Sequence, residues 1–233
     1  MEETKACQYC KTSFTIEQED FEFYKKIDVP PPTWCPECRL RRRMSFFNER
    51  SLYRANCKRC SQPMISMFPH DTKYTVYCSS CWWSDDWDPM SYGRALDFTK
   101  PFLQQFRELI GQFPHSELEA MHTTLVNSAY CNITSYLKNC YCMSNSDYSE
   151  DCYYGTYVER SRAVFDVYMV DECELCYESI NLKKCYRVFF SVDCQDCVDV
   201  WYSKNLRGCS NCFGCVNLRN KQYHIFNTAY TKE

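Results

Sequence analysis

At 233 residues and a formal charge of −3, the chain is neither a polybasic nucleic-acid arm nor an acidic tail, and it is long enough for one large or two modest domains. Five glycines leave little room for Gly-rich phosphate loops or flexible linkers, whereas twenty cysteines are far above ordinary usage. The opening MEETKAC has no apolar signal core and no apolar run approaches the ~18 residues of a membrane span, so the expected setting is a reducing cytoplasm, with thiols that are reduced, metal-bound or buried.

The first elements are four CxxC pairs. Cys7/Cys10 is followed by Cys35/Cys38, and Cys57/Cys60 by Cys78/Cys81. A CxxC turn places two thiolates on one side of a tight knuckle, and two knuckles complete a tetrahedral site. Two zinc ions are therefore expected, with a redox dithiol as the competing reading. That rival needs a separate partner for each pair, and no βαβ setting surrounds any of them. Proximity favours sequential pairing, and an interleaved one, Cys7/Cys10 with Cys57/Cys60, stays open.

Residues 5–46 resemble a widespread bacterial zinc-ribbon family of unassigned function. The resemblance is carried by Cys7 and Cys10, Phe14, Gln18-Glu19-Asp20-Phe21 leading to Phe23-Tyr24, Pro31-Pro32, and Cys35-Pro36-Glu37-Cys38-Arg39. It implies metal at those four cysteines and an apolar hairpin, and it brings no activity. The whole chain also resembles uncharacterised bacterial proteins that follow such ribbons with Cys- and aromatic-rich repeats. Arg39, Arg41, Arg42 and Arg43, with Arg50 and Arg54 close behind, have the fork that suits phosphate, and on a zinc ribbon they are candidates for nucleic-acid backbone. The competing reading pairs them with Glu37, Glu49 and the Asp85-Asp86-Asp88 run, or stacks them on Trp34, Phe46 and Phe47.

Trp82, Trp83 and Trp87 beside the last knuckle read as a packed wedge rather than a ligand platform. Thr99 and Pro101 open a predicted helix with an apolar stripe of Phe102, Phe106, Leu109, Ile110 and Phe113, ended by Pro114. Ser116-Glu117-Leu118-Glu119 has the capping-box pattern and predicts a second helix to about Thr124. The pair is expected to cover the open end of the repeat region.

From Leu137 the chain repeats every twelve residues. The fifth column is Tyr141, Tyr153, Phe165, Tyr177, Phe189, Trp201, Phe213 and Ile225; the fourth is Cys140, Cys152, Val164, Cys176, Val188, Val200 and Cys212 before it fails at His224. Columns one, four, seven and ten hold small or apolar side chains. A fixed period of this kind signals a solenoid. The spacing resembles, in geometry only, the narrow insect antifreeze β-helices; their Thr-x-Thr face is absent and ice binding is not implied. A coil this tight excludes rings, so column five is expected to point outward as a ladder at about 4.8 Å spacing. A coil of twenty-four residues would instead take the rings inside. Residues 125–136 read as a degenerate first coil. Asn145, Asn181, Asp193, Asn205 and Asn217 share column nine and are expected to hydrogen-bond along the axis. The repeat cysteines read as small core residues, with intra-coil disulfides or a further metal site as alternatives. The absence of a polar cap before Glu233 points to truncation or to pairing of the last coil.

The expected fold is mainly β: two N-terminal zinc ribbons (1–50, with the Arg-rich tail, and 51–97), a short helical connector (98–124), then a parallel β-solenoid of twelve-residue repeats (125–233). No Ser/His/Asp order, HExxH or phosphate loop surrounds His70, His115, His122 or His224, so no enzyme, membrane role or small-molecule substrate is expected. The expected function is a zinc-bound scaffold that self-associates through the ladder as a homo-oligomer. The alternative is a nucleic-acid- or ribosome-associated binder. Other covers for the ladder are the helical segment or single-stranded nucleic acid.

Overall fold

The computed structural model describes residues 2–232, which divide into two compact units, Met1–Asn48 and Glu49–Glu233. In the first, β1 (Glu3–Ala6) and β2 (Ser13–Ile16) form an antiparallel hairpin, followed by α1 (Gln18–Lys26) and α2 (Pro36–Met44). The acidic stretch expected within an apolar hairpin is the first turn of α1. The Asp20 carboxylate accepts from the Glu17 N–H (3.3 Å), and Lys25 and Lys26 close the helix, so both ends complement its dipole.

The second unit begins with the same plan. A hairpin of β3 (Tyr53–Asn56) and β4 (Pro63–Ser66) leads to β5 (Thr75–Tyr77) and the short α3 (Ser79–Trp82). Trp87 packs on Trp82 (5.0 Å), Tyr77 and Tyr92, and its indole N–H donates to the Trp82 carbonyl (2.9 Å), while Trp83 stays exposed. The wedge is thus two tryptophans within this unit, and the third lies outside it.

The helix α4 (Phe102–Gln112) forms as expected, but its anchor is polar. Gln105 is its one buried residue; its amide donates to the Asp97 and Lys100 carbonyls and accepts from the Asp97 N–H, whereas Phe102 (62% exposed) and Phe106 (47%) face solvent. Thr99 does not cap it; its hydroxyl donates to Asp97 instead. The second predicted helix is absent. Pro114–Ser116 forms β6, parallel to β5, and only His122–Thr124 makes a short 3-10 turn. The reason is competition for backbone groups. Glu117 N–H donates to the Tyr77 carbonyl, its carbonyl accepts from Met67 N–H, and residues 119–121 exchange bonds with Thr134. Tertiary partners outbid the capping box, and the Ser116 hydroxyl donates to the Leu118 carbonyl. The solenoid is therefore entered through extended chain, not capped by a helix pair.

From Leu125 the chain winds as a parallel solenoid with partners twelve residues apart, such as Phe165↔Tyr177, Val188↔Val200 and Trp201↔Phe213. That register excludes the twenty-four-residue coil. Burial repeats every three residues: columns one, four, seven and ten are buried in every row from Leu137 to Cys215. The third residue of each triplet adopts positive φ, from Asn139 (φ 53) through Asn217 (φ 59). Each triplet is one inward residue, one outward residue and one left-handed corner, and four corners close a coil.

Left-handed backbone costs an L-residue roughly 1–2 kcal/mol, and the sequence eases it with Asn, Asp and Gly at many corners, including Asn181, Asp193, Asp196, Asn205, Gly208, Asn211 and Gly214. Along column nine Asn181 donates to Asp193 (2.5 Å) and Asn205 to Asn217 (2.7 Å); a second ladder runs Asn127 to Asn139 to Asp151. At Gly214 (φ +63) an added Cβ would lie 2.7 Å from the Phe226 ring. Gly214→Val is thus expected to lower stability by about 1–2 kcal/mol, read as a drop in melting temperature. An unchanged melt would remove the corner argument.

The core is a narrow stack of Cys, Ser, Val and Leu, four inward side chains per coil, with Met143 seated against Gly155 in the next row. Its serines are hydrogen-bonded, whereas the buried Thr134 hydroxyl has no partner among the described residues. Ser161, Ser191 and Ser203 hydroxyls donate to the carbonyl two residues back and accept the N–H twelve residues on, at 3.0–3.1 Å, from Cys173, Ser203 and Cys215. Cys173 does both with its sulfur, donating to Asp171 and accepting from Cys185 N–H (3.3 Å). Inward N–H groups that the ladder leaves over are satisfied this way. At the far end, Gln222–Ile225 pairs antiparallel with Thr228–Ala229, and the Asn227 amide exchanges two bonds with Val216. This hairpin turns the chain back on the last coil, a feature that the sequence reading did not find.

Candidate metal centres and the aromatic face

Each knuckle is built twice with the same bonds. Cys7 N–H donates to Thr12 O and Lys11 N–H to Cys7 O; Cys57 N–H donates to Gln62 O and Ser61 N–H to Cys57 O, all at 2.9–3.0 Å. Lys11 (φ 66) and Ser61 (φ 63) take the same left-handed turn. The second pair of each set opens a helix, with Cys35 and Cys78 as N-caps of α2 and α3. A helix amino end favours negative charge.

Sulfurs meet in two groups, Cys7/Cys10/Cys35/Cys38 and Cys57/Cys60/Cys78/Cys81, with all four atoms of each within 4.8 Å. Pairing is sequential, not interleaved. Cys10–Cys35 and Cys60–Cys78 are each 3.7 Å apart, close to the roughly 3.8 Å edge of a zinc tetrathiolate with 2.3 Å bonds. Backbone donors already serve the sulfurs: Cys35 N–H to Cys7 (3.2 Å), Cys78 N–H to Cys57 (3.3 Å) and Arg59 N–H to Cys57 (3.4 Å).

Burial alone would push the Cys7 thiol up, but N–H donation from Cys35, Cys10 and Tyr9 outweighs it and brings the group down to about 6. Cys57 falls to about 6 by the same balance, with Cys60, Cys78 and Arg59 as donors. Cys38 and Cys81 are pushed up to about 12 by burial and by the neighbouring sulfurs. Without a cation the four thiolates repel. A divalent soft-to-borderline metal removes that conflict, and these two groups fit one each.

The other twelve cysteines line the solenoid or flank it, and all are free thiols. Among the described residues no further metal group forms. Burial pushes Cys131 up to about 12 and Cys212 up to about 11, which makes them poor nucleophiles. Of the three readings of these cysteines, core residue is the one the structure supports.

The predicted interaction ladder, Tyr141, Tyr153, Phe165, Tyr177, Phe189, Trp201 and Phe213, superposes row on row. Spacing is less even than a flat stack: Phe189–Trp201 is 4.1 Å and Phe165–Tyr177 6.0 Å. Rings at the adjacent corner column fill the gaps. Tyr154 bridges Tyr141 and Phe165, Phe190 touches Tyr177 and stacks on Tyr202 (4.8 Å), and Tyr202 and Phe226 flank Phe213. Tyr130 extends the band one row earlier against Tyr141 (5.3 Å). The sequence reading passed over column six, although Tyr154, Phe190, Tyr202 and Phe226 repeat at the same period. No residue of α4 is among the ring partners of this band.

The arginines are divided between the two units. Arg39, Arg41, Arg42 and Arg43 lie on α2; Arg41 pairs with Glu37 (3.1 Å) and Arg42 sits 5.2 Å over the Trp34 ring. Arg50 and Arg54 belong to the second unit. Asp86 is engaged by Arg59, which no sequence reading had singled out.

Fold and sites together define a chain with two four-cysteine metal-type clusters followed by a twelve-residue parallel β-solenoid. No family model matches it, and no curated protein does.

Proposed function

We propose that the protein is a non-enzymatic scaffold of the reducing cytoplasm, stabilised by two zinc ions in zinc-ribbon-like modules and self-associating through the aromatic face of its solenoid. The observation that carries this reading is the unbroken band of rings from Tyr130 to Phe226, with Tyr154 (47%), Tyr202 (53%), Phe213 (44%) and Phe226 (73%) exposed. Soluble proteins seldom leave such a band uncovered. A second copy suits it because columns five and six carry charge only at Asp166 and Glu178.

Size sets the strength. Nine rows at about 4.8 Å and three residues at about 3.3 Å give roughly 400 Å² per copy. A pair then buries about 800 Å², below the ~1,200–2,000 Å² of stable interfaces. Association is therefore expected in the micromolar range or weaker.

Sedimentation across a concentration series tests this. The protein is expected to exceed its monomer mass at high concentration in both low and high salt. Phe165→Ser with Trp201→Ser should weaken association about tenfold or more while leaving circular dichroism unchanged. A monomer at every concentration defeats the scaffold reading. Copurifying material that absorbs at about 260 nm and leaves with salt would favour the nucleic-acid or ribosome-associated alternative.

A further inference from the structure

A cleft of about 880 Å³ opens between β3–β4 of the second module and the first coil. Arg54 and Lys58 supply its charge, Met64, Phe68 and Tyr130 its apolar surface, and no Asp or Glu lines it. In a chain with thirty acidic residues against twenty-seven Lys and Arg, that bias is local and one-sided. Arg59, on the same knuckle, is paired with Asp86; among the described residues Arg54 and Lys58 have no ion-pair partner.

The duplicated module provides an internal control. Matching the hairpins by register places Thr4 where the second module has Arg54, and Gln8 where it has Lys58. Gln8 and Lys58 make the same backbone bond, to Thr33 O and Val76 O respectively. The knuckle thus forms without either cation, and their presence in only one copy calls for another reason. Two unpaired cations at the mouth of an apolar, ring-lined cleft of ligand-pocket size match an anion attached to a flat ring.

We propose that this cleft binds a phosphate-bearing nucleoside unit, with Arg54 and Lys58 on the phosphate and Phe68 or Tyr130 against the base. Guanidinium and ammonium donors hold the phosphate through charge-assisted hydrogen bonds, and an aromatic face is tolerant of any base. The unit is either a free nucleotide or one residue of a single strand. Tyr130 also begins the aromatic band through Tyr141, so a strand has a surface on which to continue.

Isothermal titration of the full-length, zinc-loaded protein decides it, with adenosine 5′-monophosphate, a short single-stranded DNA and inorganic phosphate as probes. Saturable binding of the nucleotide or the DNA is expected, tighter than that of phosphate. Tighter binding of DNA identifies a strand; equal binding identifies a free nucleotide. Arg54→Thr with Lys58→Gln copies the first module, so it should retain zinc and melt as wild type while weakening binding at least about tenfold. No saturable binding of either probe, phosphate binding as tight as nucleotide, or undiminished binding in the double variant overturns the proposal. Should that variant lose zinc, the wild-type salt dependence decides instead: affinity must fall as salt rises.

Discussion

Val188→Asp is expected to unfold the solenoid, whereas Phe189→Asp, one residue on, should leave it folded and weaken self-association. Val188 is fully buried (0% exposed) in column four, in register with Val200 above it. Val188 sits among the buried Cys185, Ser191 and Cys194 of its own coil, so a carboxylate there meets no counter-charge. Taking an unpaired ion out of water costs several kcal/mol even after relaxation, and neutralising it by protonation only shifts the cost into its pKa. Domains hold about 5–15 kcal/mol in total. Each coil contacts only its neighbours, so the rows on both sides lose their packing with it. Phe189 points outward, and aspartate in its place meets solvent. Circular dichroism melts of the two variants provide the comparison. A Val188→Asp protein that melts like wild type would mean that the tube is not closed at column four.

Metal removal is the second large effect. Purified protein is expected to carry two equivalents of zinc, and a chelator should unfold both modules. Structural zinc contributes roughly 10–16 kcal/mol in isolated finger peptides, more than modules this small could replace by packing. Cys7→Ser and Cys57→Ser should each reduce the metal to one equivalent, but with different reach. The first disrupts a cluster contained in Met1–Asn48. The second also frees the route into the first coil, because Ser79 N–H holds the Glu117 carboxylate (2.9 Å) and β5 pairs with β6. Limited proteolysis should therefore open the stretch from Tyr53 to Thr124 in Cys57→Ser and leave it closed in Cys7→Ser. Three or more equivalents, or iron, would make ligands of the solenoid cysteines.

The parts that were legible in advance share a cause: the relevant residues are near in sequence or recur at a fixed interval. CxxC pairs declare a knuckle through two residues, and the twelve-residue period states the same environment eight times over. The Ser116–Glu119 capping box was equally local but misled, because Glu117 found partners at Tyr77, Met67 and Ser79, some forty to fifty positions earlier. The cysteines of the repeat were read rightly as small and buried, yet their hydrogen bonds to carbonyls two residues back and N–H groups twelve on follow from coil geometry. Left-handed corners at every third residue were missed even though Asn, Asp and Gly crowd those columns, since Tyr, Arg and Leu occupy the same positions in other rows.

By itself, then, the sequence determined the eight candidate metal ligands, the period and the side of each coil that faces inward, because thiolate chemistry and burial act through residue type and spacing. Tertiary structure alone decided the sequential grouping of the knuckles, the extended entry to the first coil and the placing of Tyr130 in one cleft with Arg54 and Lys58. Those outcomes depend on which distant backbone and side-chain groups reach one another in space, and no local pattern encodes that distance.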